Sequence, residues 1–280
     1  MLNCVKEGAK NMLSYIDSSV LENLKPRPAD SDKSTFGTLL TLCGCEYMTG
    51  AFCLSANSAL RSGVGLLRAA GSVRTVKRLQ RILYEPVYLD VKRLTFERSN
   101  AFLCGCGIGR TYDKILKDIL EKCNIPAVLD ADCINFLAMN KDVLGRISCE
   151  KILTPHLYEM SRLTGIAPDG IKKDRVKIAS DFAVNNNCVL VLKGKNTVVA
   201  DKNGDVFINT SGNNSLSKGG SGDVLAGLIA SLLAQGHSPI DAAKIGVFVH
   251  GKAGENLSEK YGARYVLPSD LPKEISKILG

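Results

Sequence analysis

Apolar residues fall into short continuous blocks separated by stretches of helical periodicity. The blocks are "TLLTLC" (38–43), "AFLC" (101–104), "PAVLD" (126–130), "KILT" (151–154) and "CVLVLKG" (188–194). Their length and near-continuous apolarity predict strands covered on both faces, because a strand with one wet face would alternate. Between them, "TYDKILKDILEKC" sets Ile115, Leu116, Ile119 and Leu120 on one helical face, and "YEMSRLTG" predicts a helix stopped by glycine. "TVVAD" and "DVFIN", split by "KNG", predict a hairpin. Alternating strand and helix predicts an α/β fold: one layered domain, its sheet mainly parallel, with helices on both sides. That domain spans 25–280, uninterrupted by linker or repeat. Residues 1–24 carry few core signals and are expected to form an N-terminal helical extension.

Composition narrows the class. At 280 residues and 45% hydrophobic, the chain can bury a large core. No apolar run approaches the roughly 18 residues that span a membrane. The first residues lack a signal-peptide pattern, so a cytoplasmic location is expected. Ten cysteines accompany only three histidines, with no C-x-x-C pair, which predicts reduced, buried thiols in place of zinc ligands or disulfides. The net charge of +8 suits an anionic substrate. Its densest basic stretch, residues 61–81, puts Arg74, Lys77, Arg78 and Arg81 at helical spacing without interleaved aromatics. That pattern is a solvated helix face; neither a nucleic acid nor a membrane is an expected partner.

In parallel α/β sheets, ligands bind beyond the carboxyl ends of the strands. There the chain places "GCEYMTGA" (44–51), "GCGIGR" (105–110), Asp130 and Asp132, "PHLYE" with His156 and Glu159, and "KGKNT" beginning at Lys193. A further segment, "SKGGSGDVLAGLIASLLAQG" (217–236), opens an apolar helix with glycines and one carboxylate. Gly219, Gly220 and Gly222 would bare helix N-terminal N–H groups to an anion. No G-K-[ST] follows, so this is not a Walker loop. Asp223 beside an anion site fits a base that accepts a proton during phosphoryl transfer. The competing reading makes it a capping aspartate among packing glycines.

These segments resemble the NAD(P)H-hydrate dehydratases of the ribokinase-like superfamily. The resemblance is carried by "GGSGDVLAGLIASLLAQG", "KPRPADSDKSTFGTLL", "YMTGAFCLSANSALRSGVGLL", "CGCGIGR", "VLDADCINFLA", "ILTPHLYEMSRLTG", "VLKGKNTVVAD" and "VFVHGKAGE", in family order. It implies a ribokinase-like three-layer α/β/α fold. It implies an enzyme that spends ADP or ATP to dehydrate the S-epimer of hydrated NADH or NADPH, releasing AMP or ADP and phosphate. Asp223 then matches the catalytic base on the hydrated nicotinamide. Gly219, Gly220, Ser221 and Gly222 match the anion hole, and Lys193, Gly194, Lys195, Asn196 and Thr197, with Gly222, the nucleotide site. Ala51, Gly107 and His156 match substrate-binding positions. Mg²⁺ is expected on the nucleotide phosphates, with Glu159 orienting it through water. Family likeness further implies a stand-alone dehydratase and a homotetramer. The chain departs from the family pattern at Cys106 and Leu157, and at Asn214 in "GNNSLSKGG". Alternatives are a ribokinase-like kinase of a small alcohol, such as a vitamin precursor, and a nucleotide-binding module without turnover.

Overall fold

Residues 12–280 are described by the computed structural model, in which one sheet carries every strand. In chain order the strands are β1 Leu13–Ile16, β2 Thr38–Leu42, β3 Leu66–Gly71, β4 Val87–Asp90, β5 Ala101–Cys104, β6 Ala127–Leu129, β7 Lys151–Leu153, β8 Val189–Leu192, β9 Thr197–Ala200 and β10 Val206–Asn209. Their spatial order is β1-β10-β9-β8-β7-β6-β5-β2-β3-β4. Only β9 runs against its neighbours, through the expected hairpin with β10 (Thr197 opposite Asn209) and its pairing with β8. Each predicted block is a strand, and the mainly parallel sheet aligns their carboxyl ends along one edge.

The helices are α1 Thr49–Arg61, α2 Val73–Leu79, α3 Asp113–Glu121, α4 Ala131–Met139, α5 Lys141–Leu144, α6 Leu157–Thr164, α7 Pro168–Lys173, α8 Arg175–Asn185, α9 Ser221–Ala234, α10 Pro239–Tyr261 and α11 Leu271–Leu279. They cover both faces because strand side chains alternate between them. Leu39, Leu103, Val128, Ile152 and Val191 join the core under α1, α9, α10 and α11. Their neighbours Leu40, Phe102, Leu129, Leu153 and Leu190 join the core under α3, α4, α6 and α8. Two apolar layers sandwich the sheet.

Several expectations need correction. In the described part of residues 1–24, no α-helical extension forms. Leu13–Ile16 is an edge strand parallel to β10, and Ser18–Asn23 is a 3₁₀ helix; residues 1–11 lie outside the described residues. An edge strand shows poorly in sequence, since only Ile16 of its four residues is buried. The basic stretch 61–81 also holds β3, whose Ala69 and Ala70 are too small to register as an apolar block. The helix there is α2 alone, and Arg81 lies beyond its end. The nine cysteines among the described residues are all free, most of them buried; Cys4 lies outside those residues. No described helix is long and apolar enough to cross a membrane.

The helix α9 is wedged between α1 and α10 at backbone contact. A Cβ built on Gly227 would stand 2.0 Å from the Ser55 carbonyl oxygen, and one on Gly246 would stand 2.4 Å from Ile229 Cγ1. Ser58 Oγ donates to the Val224 carbonyl at 2.7 Å. These contacts fix where the α9 N-terminus points. Gly227→Ala should therefore cost about 1–3 kcal/mol despite alanine's better helix propensity, because backbone must move. Gly145→Ala, with nothing near its added carbon, should be close to neutral. Chemical denaturation of both variants checks the contrast.

Candidate active site

Strand ends and the α9 N-terminus meet around one carboxylate. Asp130 follows β6 and is 1% exposed. Its Oδ1 accepts hydrogen bonds from Lys193 Nζ at 2.7 Å and Thr154 Oγ1 at 2.6 Å, and Cys106 Sγ donates to Oδ2 at 3.6 Å. Burial alone would pull the Lys193 ammonium's pKa down, but the charges of Asp130 and Glu159 outweigh it and hold it above the usual value. A Cβ on Gly222 would lie 3.2 Å from Lys193 Nζ, so this ammonium sits directly against the first turn of α9. Sequence reasoning singled out Lys193 and Gly222. Asp130 it noted only as a strand-edge residue, and Thr154 it missed, since a buried threonine carries no sequence signal.

The capping reading of Asp223 fails on geometry. The N-cap of α9 is Gly220, with φ 100°, and Asp223 lies three residues inside. Glycine is required at the cap: φ is left-handed, and a Cβ would stand 2.5 Å from Leu54 Cδ1. A ligating atom from each of Cys106, Asp130 and Asp223 lies within 4.8 Å of the others. Asp223 is pushed up to about 7, by burial first and then by the charge of Asp130, with Asp132 adding. A hydrogen bond from Cys106 and the Lys193 charge act the other way. Asp223 can therefore gain or release a proton near neutral pH.

The glycine turn forms a cradle of backbone N–H donors. Amides of Gly219, Gly220 and Gly222 find no acceptor among the described residues, and the helix dipole adds positive potential. Ser221 differs from its neighbours, because its N–H donates to the Lys218 carbonyl at 3.2 Å. Its Oγ lies 3.3 Å from His250 Nε2, a buried imidazole pushed down to about 4 and so neutral. Ser221 shapes the turn, and the glycines present the donors.

Beside the cradle lies a cavity of about 590 Å³ lined by Lys193, Gly194, Lys195, Asn196, Thr197 and Gly222, all foreseen together. Gly212, Leu225, Val247 and His250 are among the other wall residues and were not foreseen. Arg175, also unforeseen, ties the 193–197 loop by donating to the Leu192 carbonyl at 2.9 Å. Asn196 holds a left-handed φ of 53° within that loop.

On the strand-end side, Ala51 and Gly107 touch: a Cβ on Gly107 would come within 2.6 Å of Ala51 Cβ. Gly107 itself has φ 64°. His156 caps α6, its Nδ1 accepting from the N–H groups of Tyr158 (3.1 Å) and Glu159 (3.2 Å). Nδ1 is thus the acceptor and Nε2 carries the proton. Burial, then Lys193 and Arg162, lower the pKa of His156 and keep the half-exposed ring neutral. Glu159 returns the cap, Oε2 accepting from His156 N–H at 2.7 Å, while Oε1 lies 3.4 Å from Nε2. Burial raises the pKa of Glu159. This carboxylate holds the loop first, and only Oε1 is left to face a hydrated metal. Mg²⁺ demands oxygen ligands, whereas the nearest donor set includes a thiol and a carboxylate bound by Lys193. This donor set is not an all-oxygen cage for a resident Mg²⁺.

A mainly parallel sheet between two helical layers, with a glycine-led helix over its strand ends, defines the class: a ribokinase-like α/β/α fold. The chain belongs to the NAD(P)H-hydrate dehydratase family, whose model matches residues 39–277. It is 37% identical to an ADP-dependent (S)-NAD(P)H-hydrate dehydratase of Neisseria meningitidis, covering 85% of this chain and 83% of the relative. It is 36% identical to a bifunctional NAD(P)H-hydrate repair enzyme of Moorella thermoacetica, covering 89% of this chain but spanning only 50% of that relative. Its structure resembles that of an ADP/ATP-dependent NAD(P)H-hydrate dehydratase from Bacillus subtilis, co-crystallised with ATP and Mg²⁺. The TM-score is 0.85 at 29% identity, with 96% and 98% of the two chains covered.

The raised proton affinity of Asp223 has a thermodynamic signature. Its folded pKa of about 7 exceeds the ordinary 3.8, so its stabilising contribution is full below about pH 4 and is lost as pH rises through 7. Asp223→Asn carries no charge at any pH. It should melt roughly 3 °C or more above wild type at pH 8 and much closer to it at pH 5. Thermal melts at the two pH values measure the difference.

Proposed function

We propose that this chain dehydrates the S-epimer of hydrated NADH or NADPH at the expense of ADP or ATP, a repair reaction of the nicotinamide cofactor. The observation that carries the reading is the meeting of Lys193 and Gly222 with Asp223, where the nucleotide cavity opens onto the strand-end crevice. The adenine nucleotide occupies the cavity formed by residues 193–197, its terminal phosphoryl group against the glycine amides and the Lys193 ammonium. The hydrated nicotinamide lies between Ala51, Gly107, His156 and Asp223.

Asp223 takes the proton of the ring hydroxyl as that oxygen bonds to the terminal phosphorus, and the bond to AMP (or ADP) breaks. Phosphate then departs with the electron pair of its bond to the ring carbon. Loss of a proton from the adjacent ring carbon restores the double bond. The amides and Lys193 stabilise charge gathering on the phosphoryl oxygens, where preorganised donors count most. Neutral His156, an Nε2–H donor, suits a polar group of the substrate. Mg²⁺ travelling with the nucleotide would neutralise phosphate charge. The protein is taken to act in the cytoplasm as a homotetramer, which light scattering of the purified protein checks.

Hydrated NADH incubated with Mg²⁺ and either ADP or ATP should regain reduced-nicotinamide absorbance. No recovery with either nucleotide, or a stable phosphorylated alcohol product, overturns the reading. Asp223→Asn should lower kcat about 10²- to 10⁴-fold while nucleotide affinity stays within about threefold. In wild type, kcat/KM should rise with pH through about 7 and level off above it, because the base must be unprotonated.

A further inference from the structure

We propose that Asp130 is a positioning residue that couples the two halves of the site, fixing the Lys193 ammonium against Gly222 and holding a second negative charge beside Asp223. The inference rests on the reaction assigned above and adds a residue that touches neither nucleotide nor substrate.

Geometry supports it from several sides. Asp130 is almost wholly buried at the end of β6, and both of its carboxylate oxygens are engaged. Lys193 and Thr154 reach Oδ1 from the ends of different strands, so one oxygen ties three strand ends together. The backbone at this point is itself forced. Ala131, next in the chain, has φ 47°, a left-handed conformation that a residue with a Cβ adopts only when its surroundings impose it. A Cβ on Gly105 would lie 1.8 Å from the Asp130 carbonyl oxygen, so the β5 loop closes over this corner. A salt bridge serving stability alone would not need a strained neighbour at the edge of a phosphate cradle.

The arrangement decides what each charge does. Without Asp130, the Lys193 ammonium keeps only Glu159 as a counter-charge and is no longer pinned against the glycine turn. Asp223 faces Asp130 and Asp132 from the β6 end, Lys193 from the β8 end and Cys106 from the β5 end. Glu159 from α6 faces Lys193 and Asp130, and His250 from α10 stays neutral behind Ser221. Removing the Asp130 charge takes away the strongest of the charges that raise the proton affinity of Asp223 while Lys193 still lowers it, which favours the ionised form.

Asp130→Asn tests this. Its kcat should fall about 30-fold or more, as when an oriented transition-state donor is lost, and the acid limb of kcat/KM should move down by about one pH unit or more. A merely structural role would lower activity and leave the limb in place, and that result overturns the proposal. A second measurement needs no substrate: titration of ¹³Cγ-labelled aspartates by NMR, with Asp223 assigned by its absence in Asp223→Asn. The Asp223 midpoint should drop in Asp130→Asn, and an unchanged midpoint overturns the proposal. If wild type never restores absorbance from hydrated NADH, the assigned reaction fails while the titration still decides on Asp130. Should Asp130→Asn not fold, Thr154→Val and Thr154→Ser decide. Thr154→Val should lower kcat about tenfold with the acid limb near its wild-type position, and Thr154→Ser should restore it; full activity in Thr154→Val overturns the proposal.

Discussion

A buried ammonium cannot stand alone, and much of this site follows from how Lys193 is neutralised. Its partner comes from another strand, because the loop after β8, residues 194–197, carries no acidic side chain and lines the cavity. The partner is Asp130, at 2.7 Å. That pairing needs β6, β7 and β8 adjacent and parallel so that their carboxyl ends coincide. It also needs α9 to bring Gly222 within a carbon's width of the ammonium, which the glycine contacts with α1 and α10 secure. The sheet order, the packing of one helix and the electrostatics of one pair are a single constraint seen at three scales.

Charge placement explains why two neighbouring aspartates of the site differ. Asp130 has a cation and a hydroxyl on one oxygen, whereas Asp223 is half-buried with an anion for a neighbour. One carboxylate holds its neighbours in place through hydrogen bonds; the other can exchange a proton. Pairs whose environments diverge in this way divide structural from chemical work.

The sheet's central strands were legible because burial on both faces demands unbroken apolar runs, as in "AFLC" and "VLVL". Strands at the margins were not. β1 buries a single residue, and the alanines of β3 lack the bulk that marks a block. At the site, residues that present backbone or charge were readable: glycines before an apolar helix, Lys193, Asp223. Residues that act through a buried partner were not, because Thr154, Arg175 and His250 look like ordinary core or surface positions until the strand ends are brought together. The division of labour in the cradle, with Ser221 spending its N–H on Lys218, was likewise invisible in the spacing of "GGSGD".

The edge strand β1 is linked mechanically to the cavity lined by residues 193–197. Its Ile16 stands opposite Asn209, which lines that cavity, and Met12 exchanges hydrogen bonds with the hairpin at Asp205 and Val206. Tension or displacement at residue 12 would travel along one ladder of hydrogen bonds to the wall of that cavity. A load applied at β1 would therefore act on the cavity wall through the sheet itself.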